Sequence, residues 1–207
     1  MVSKPVVFVI DDDASIREAL EGLIRSIKFD VQTFGAPEEF LNFKRPDAPG
    51  CIILDVRLPG LNGIDFHRAL VKSGISLPVI FITGHGDVPM SVRAIKAGAI
   101  EFLSKPFRHQ DLIDAIHLGI ERDRARRQAA KVFSDLQARF ALLTGREREI
   151  MLEVASGRPN KQIAAGLKLS EFTVKVHRRH VMHKMKARSL VDLVRMADKI
   201  QGRDAAV

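Results

Sequence analysis

The sequence predicts two domains in series: an α/β domain on a five-stranded, doubly wound parallel sheet, then a smaller all-α domain of four helices that contains a helix-turn-helix. Three observations carry that reading. Short apolar runs alternate with helical patterns up to about residue 120, only helical patterns remain beyond residue 143, and the charge changes sign between the two regions. A length of 207 residues suits two modest domains better than one large core. With 46% hydrophobic and 28% charged residues, the chain can fill packed interiors and is neither disordered nor fibrous in composition.

In the first region the apolar runs are VVFVI at 6–10, a weaker VQTF from Val31, CIILD at 51–55, PVIFIT at 78–83 and EFL at 101–103. Continuous apolar strands are buried on both faces, and the segments between them are long enough for crossover helices, so five βα units are expected. Helix punctuation agrees. Pro37 sits in a first turn, Asn62 can cap the helix that begins at Gly63, Asp87 can cap the next, and Gly98 follows that helix's end.

From Arg108 a helical pattern rich in Ala, Arg and Gln continues without Gly or Pro after Gly119. Its apolar spacing is thin between Ile120 and Val132, which predicts a partly exposed connecting helix, and the sustained heptads of a coiled coil are absent. Four short helices follow, at 144–155, 160–167, 170–185 and 189–200. Thr144-Gly145-Arg146-Glu147 matches a capping box and fixes the first start. The expected boundaries are 1–120 for the first domain, 121–143 for the linker helix and 144–207 for the second domain.

Composition also excludes classes. Cys51 is the single cysteine, so no internal disulfide or paired-cysteine zinc site can form. With no basic, apolar, small-residue leader at Met1, a cytoplasmic protein is expected. No stretch approaches the roughly 18 apolar residues of a membrane-spanning helix. Residues 1–120 hold 13 Lys and Arg against 15 Asp and Glu, a net of −2; residues 121–207 hold 20 against 10, a net of +10, which together give the total of +8. A small basic domain favours polyanions, because each phosphate it neutralises releases condensed counterions.

Ligands of parallel α/β sheets sit beyond the carboxyl ends of the strands. There this sequence places Asp11-Asp12-Asp13 after the first strand, Asp55 at the end of the third, Thr83 at the end of the fourth and Lys105-Pro106 after the fifth. Neighbouring carboxylates repel unless a cation sits among them, and hard oxygen ligands with open positions suit Mg²⁺ (or Mn²⁺). With that ion bound, Asp55 can attack phosphorus, while the Thr83 hydroxyl and Lys105 ammonium receive the charge of the transferred oxygens. The set reads as phosphoryl transfer onto Asp55.

The segments VIDDDASIR, ILDVRLPGLNG, IFITGHGDVPMSVRAIKAGA and EFLSKPF give the first 118 residues a close resemblance to the receiver domain of two-component response regulators, a flavodoxin-like fold. The resemblance implies Asp55 as phosphoacceptor and Asp11, Asp12, Asp55 and the Arg57 carbonyl as metal ligands. It implies Thr83 and Lys105 as phosphoryl contacts, Thr83 and Phe102 as the switch, and a cis bond before Pro106. Asp13 matches no catalytic position of that family and reads as a helix-start acid. Many receivers have tyrosine where this chain has Phe102, so ring burial without a hydroxyl must serve the switch here. His85, two residues beyond Thr83, reads as an exposed loop histidine, with an influence on dephosphorylation as the alternative.

In the basic region, residues 160–185 read as helix, short turn around Leu167-Lys168-Leu169, and helix, with Ser170 as N-cap. On the second helix Val174, Val181, Met182 and Met185 share the face turned to the domain's own core; Lys175, Arg178 and Arg179 lie opposite, with Val176 among them. An exposed valine in a basic stripe suits a major groove, where Lys175 and Arg179 can reach guanine edges and Val176 a thymine methyl. His177, His180 and His183 recur every three residues. Steps of three drift around a helix and no acidic or thiol ligand accompanies them, so no metal is predicted there.

The stretch from LTGRERE to LVRMA, with its NKQIA and TVKVH segments, resembles the LuxR-type helix-turn-helix, and the whole chain resembles FixJ-type regulators of the NarL/FixJ class. By that resemblance Lys175, Val176 and Arg179 face bases, and Lys161, Thr173, His177 and Lys186 face the DNA backbone. The implied partners are a sensor histidine kinase, double-stranded promoter DNA, RNA polymerase and a second copy of the chain when phosphorylated; most family members activate transcription and are not enzymes. Two alternatives stay open. Asp11-x-Asp13 after an apolar strand also resembles the start of a haloacid-dehalogenase phosphohydrolase, although no later acidic pair is present to hold its metal. The other is a DNA-binding regulator that works without phosphorylation.

Overall fold

The computed structural model describes residues 4–84 and 88–204, so His85 and the proposed cap Asp87 lie outside the described residues. The chain divides into two compact units, Met1–Arg127 and Gln128–Val207.

The first unit runs β1 (Val6–Ile10), α1 (Ala14–Ser26), β2 (Asp30–Phe34), α2 (Pro37–Asn42), β3 (Gly50–Asp55), β4 (Arg57–Leu58), β5 (Leu61–Asn62), α3 (Gly63–Lys72), β6 (Val79–Thr83), α4 (Val88–Lys96), β7 (Glu101–Ser104) and the start of α5 (His109–Ala141). Five strands form one parallel sheet in the order β2-β1-β3-β6-β7. The two-residue strands β4 and β5 make a small antiparallel hairpin.

Side chains alternate across the strands, so each strand feeds two cores. Phe8, Ile10, Ile52, Leu54 and Phe81 pack with Phe40 of α2, Phe66 and Leu70 of α3 and Ala94 of α4. Val7, Val9, Ile53, Ile80 and Ile82 pack on the other face with Leu20 and Ile24 of α1 and Leu112, Ile116 and Ile120 of α5. Helices therefore cover both faces, the doubly wound arrangement expected. Burying each such aliphatic side chain stabilises the unit by about 1.5–3 kcal/mol. The strand from Val31 is faint in the sequence because β2 is a sheet edge, with only Val31 and Phe34 buried.

Local chemistry sets the helix starts. Asp13 caps α1, its Oδ1 accepting from the amides of Ser15 and Ile16, and Asn62 caps α3 by accepting from the Ile64 amide. Pro37 stands in the first turn of α2, where a missing N–H costs nothing.

Residues of the segment 121–143 pack in both units. Asp123 is wholly buried in the first unit, where its carboxylate accepts from the Gly50 amide (3.0 Å), Arg126 (2.6 Å) and Arg127 (2.7 Å). Leu136 and Leu143 belong to the core of the second unit.

That unit holds α6 (Gly145–Ala155), α7 (Asn160–Leu167), α8 (Glu171–Met185) and α9 (Leu190–Asp204). Ile150, Met151, Val154, Ile163, Val174, Val181, Met185, Leu193 and Ile200 meet in its centre. The capping box forms: the Glu147 amide donates to Thr144 Oγ1 and the Thr144 amide to Glu147 Oε2. Such a cap contributes about 1 kcal/mol.

Candidate functional site

The strand order brings the carboxyl ends of β1, β3, β6 and β7 side by side, and the residues that follow them form an acidic cleft. Asp11 leaves β1 fully buried, Asp55 closes β3 at 7% exposure, and Asp12 is exposed. Their carboxylate oxygens gather within 4.8 Å of one another. Lys105 enters from the end of β7, its amide donating to the Thr83 carbonyl at 2.7 Å, and its Nζ stands 2.8 Å from Oδ2 of both Asp11 and Asp55. The bond from Lys105 to Pro106 is cis.

Backbone amides fix the remaining oxygens. The Asp13 amide donates to Asp11 Oδ1 at 2.9 Å, and the Arg57 amide donates to Asp55 Oδ1 at 2.8 Å, holding Arg57 against the acid. Behind Asp55 stands Gly63. A Cβ there would lie 2.3 Å from the Asp55 carbonyl oxygen, a distance no real contact reaches, so only glycine lets α3 start this close. The sequence shows this glycine within LPGLNG, but its reason is a contact eight positions away in the chain.

The electrostatics are those of a cation site. Burial holds the Asp11 carboxyl above its ordinary value, against the hydrogen bonds from Lys105 and the Asp13 amide. Burial alone would lower the Lys105 ammonium, but its bonds to Asp11 and Asp55 outweigh that and hold it above its usual range. Carboxylate oxygens so arranged, with one edge open at Asp12, fit a hard divalent ion such as Mg²⁺. Thr83 is fully buried at the end of β6, and Phe102 is partly buried against the core that contains Phe81 and Ala94.

The second unit carries a basic surface on α8. Lys175, Val176 and Arg179 are exposed, as are Lys161 and Lys186, while Thr173 and His177 are half-buried. Ser170 caps α8 by accepting from the Thr173 amide at 3.0 Å. Lys168, in the left-handed region at φ 56°, ends α7 and turns the chain. Arg178 departs from the sequence reading: it is half-buried and its guanidinium donates to Asn160 Oδ1, bracing α7 to α8 instead of facing outward. Phe172 is the residue that the sequence reading missed. It is 75% exposed and precedes Val176, itself 37% exposed, by four residues, one helical turn along the same stripe.

Sequence comparisons agree with this division of labour. The profile of the response regulator receiver domain matches residues 7–117, and that of the bacterial regulatory proteins of the luxR family matches residues 141–197. The chain belongs to the response regulators that join a receiver to a LuxR-type DNA-binding domain.

Within that family it falls in the NarL/FixJ class. It is 51% identical to Nodulation protein W of Bradyrhizobium diazoefficiens over 198 residues, covering 96% of this chain and 87% of that protein. It is 41% identical to the transcriptional regulatory protein FixJ of Rhizobium meliloti over 191 residues, covering 92% of this chain and 94% of that one. Among solved structures, the response regulator StyR superposes with a TM-score of 0.85 at 48% identity, covering 95% of this chain and all of StyR. Full-length FixJ from B. japonicum gives 0.56 at 39% identity, covering 96% and 98%. The family is one of transcriptional regulators, and the receiver profile spans the Asp11-x-Asp13 segment that also resembles a phosphohydrolase start. Among the described residues no helix is long and apolar enough to cross a membrane.

Proposed function

We propose that a sensor histidine kinase phosphorylates this regulator on Asp55 and that the acyl phosphate controls dimerisation and promoter binding in the cytoplasm. The observation that supports it most is the meeting of Lys105 Nζ with Asp11 and Asp55 at 2.8 Å each, among three carboxylates drawn from two strand ends.

Asp55 Oδ1 is held by the main-chain amide of Arg57, whereas Oδ2 meets the flexible Lys105 side chain, which can follow an incoming phosphoryl group, so Oδ2 is the nucleophile. It attacks the phosphorus of the kinase's phosphohistidine; the O–P bond forms, the N–P bond breaks, and the imidazole leaves with the electron pair and takes up a proton. Asp11, Asp12, Asp55 and the Arg57 carbonyl would hold Mg²⁺ (or Mn²⁺), which supplies charge neutralisation for the transferred oxygens. Lys105 follows the new phosphoryl oxygens, and the Thr83 hydroxyl donates to another.

A group of about −1.5 to −2 charges on Asp55 draws Thr83 inward. Phe102 then rotates into the space vacated and reshapes the face of α4 and β7, through which two copies pair. Two DNA-binding domains meet half-sites about one helical turn apart. Lys175, Val176 and Arg179 read bases, Lys161, Thr173, His177 and Lys186 hold the backbone, and RNA polymerase is recruited at the promoter. The Nδ1 of His177 is buried, so its phosphate contact uses the other ring nitrogen.

Sedimentation and operator binding test the reading together. Phosphorylated wild type should dimerise and bind its operator more tightly than Asp55→Asn. Equal behaviour of the two would favour a regulator that works without phosphorylation.

A further inference from the structure

The sequence argues against a metal among His177, His180 and His183 because no acid stands near them along the chain. The fold supplies one. Glu147, at the start of α6, is buried against α8, and one ligand atom each from Glu147, His177 and His180 lie within 4.8 Å of one another. His183 is not part of the group.

Each donor is prepared differently. Glu147 Oε2 accepts from the Thr144 amide at 2.8 Å and from Lys184 Nζ at 2.7 Å, which fixes the carboxylate and turns Oε1 toward His180 Nδ1, 3.8 Å away. Outer hydrogen bonds of this kind are what orient metal-binding carboxylates. His177 Nδ1 is buried with no hydrogen-bond partner, an uncommon condition for an imidazole nitrogen. His180 is exposed, so the cluster is open to solvent on one side.

We propose that Glu147, His177 and His180 bind a borderline divalent transition ion, Zn²⁺, Ni²⁺ or Cu²⁺, that clamps α6 to α8 in the DNA-binding domain. Two imidazoles and one carboxylate match that class and leave a position for water. Mg²⁺ takes oxygen ligands, so two imidazoles and a single carboxylate select against it here, whereas the all-oxygen acidic cleft suits it. Metal–ligand bonds of about 2.0–2.2 Å put neighbouring ligands about 3.4 Å apart, so closure needs a small turn of the exposed His180 ring.

The test titrates ZnCl₂ into the full-length protein by calorimetry, in excess Mg²⁺ so that the acidic cleft is already filled, with Co²⁺ absorption as a second readout of ligand field. Wild type should take up Zn²⁺ at this cluster, and His180→Ala should weaken that binding by about tenfold or more. His183→Ala and Asp12→Ala should leave it unchanged. Because His180 is exposed, its replacement keeps the fold, which circular dichroism verifies. An affinity untouched by His180→Ala, or binding lost with Asp12→Ala, would overturn the proposal.

Discussion

The carboxylate of Asp123 accepts the amide proton of Gly50 at 3.0 Å, tying α5 to the first residue of β3 at the sheet end opposite the acidic cleft. The same group binds Arg126 and Arg127, and Arg127 reaches on to Asp47. Deleting the carboxylate strands the buried Gly50 amide but leaves the partly exposed arginines to water, a loss of about 1–3 kcal/mol. Asp123→Ala should therefore destabilise the first unit by about that amount, seen as an early transition in urea followed by circular dichroism, whereas Asp47→Ala, which removes an exposed acid, should cost under about 1 kcal/mol.

Gly63→Ala drives a methyl group into the Asp55 backbone. The strain should cost on the order of 1–3 kcal/mol and slow phosphorylation from acetyl phosphate, because the Asp55 carboxylate moves with its main chain. A variant with the wild-type rate would show that α3 does not set the position of the acid.

Magnesium should stabilise the first unit more as pH rises. Burial raises Asp11 in the folded state, so the folded form holds its proton more tightly than the unfolded chain; the ionised form then opposes folding as pH increases through that range. A divalent ion needs the ionised form and reverses that cost. At about ten times its Kd, Mg²⁺ should add about 1.4 kcal/mol near neutrality and less near pH 4, measured by urea unfolding. Asp12→Ala should diminish the effect.

On α8, Lys175→Ala and Arg179→Ala should each cost about 1–3 kcal/mol and relax preference at particular base pairs. Lys161→Ala should weaken all sequences alike and lower the salt slope by about one. Arg178→Ala should act differently, lowering the melting temperature of the domain together with DNA affinity, and Asn160→Ala should do the same, since the two side chains are one brace. Binding to randomised operators at two salt concentrations separates these cases.

Most of the sheet and the acidic cleft are legible in the sequence because they depend on local signals: unbroken apolar strands, and acids, a threonine and a lysine at the strand ends. Asn62 and the Thr144 capping box are equally local. What escaped depends on contacts distant in the chain. Asp123 sits in a segment of charged residues and reads as exposed until Gly50 is brought to it. Arg178 shares the polar face of α8 but meets Asn160 from the preceding helix. Glu147 is recognisable as a cap, yet its place beside His177 and His180 appears only when α6 and α8 pack. The hairpin of β4 and β5 is two residues per strand, too short for any period to register.

The central claim is that Asp55 is the phosphoacceptor. Incubation with Mg²⁺ and acetyl phosphate, followed by intact-mass measurement, tests it most directly. Wild type should gain the mass of one phosphoryl group, mapped to Asp55, and Asp55→Asn should gain none; a wild-type mass that does not change, or a gain that persists in Asp55→Asn, would contradict it.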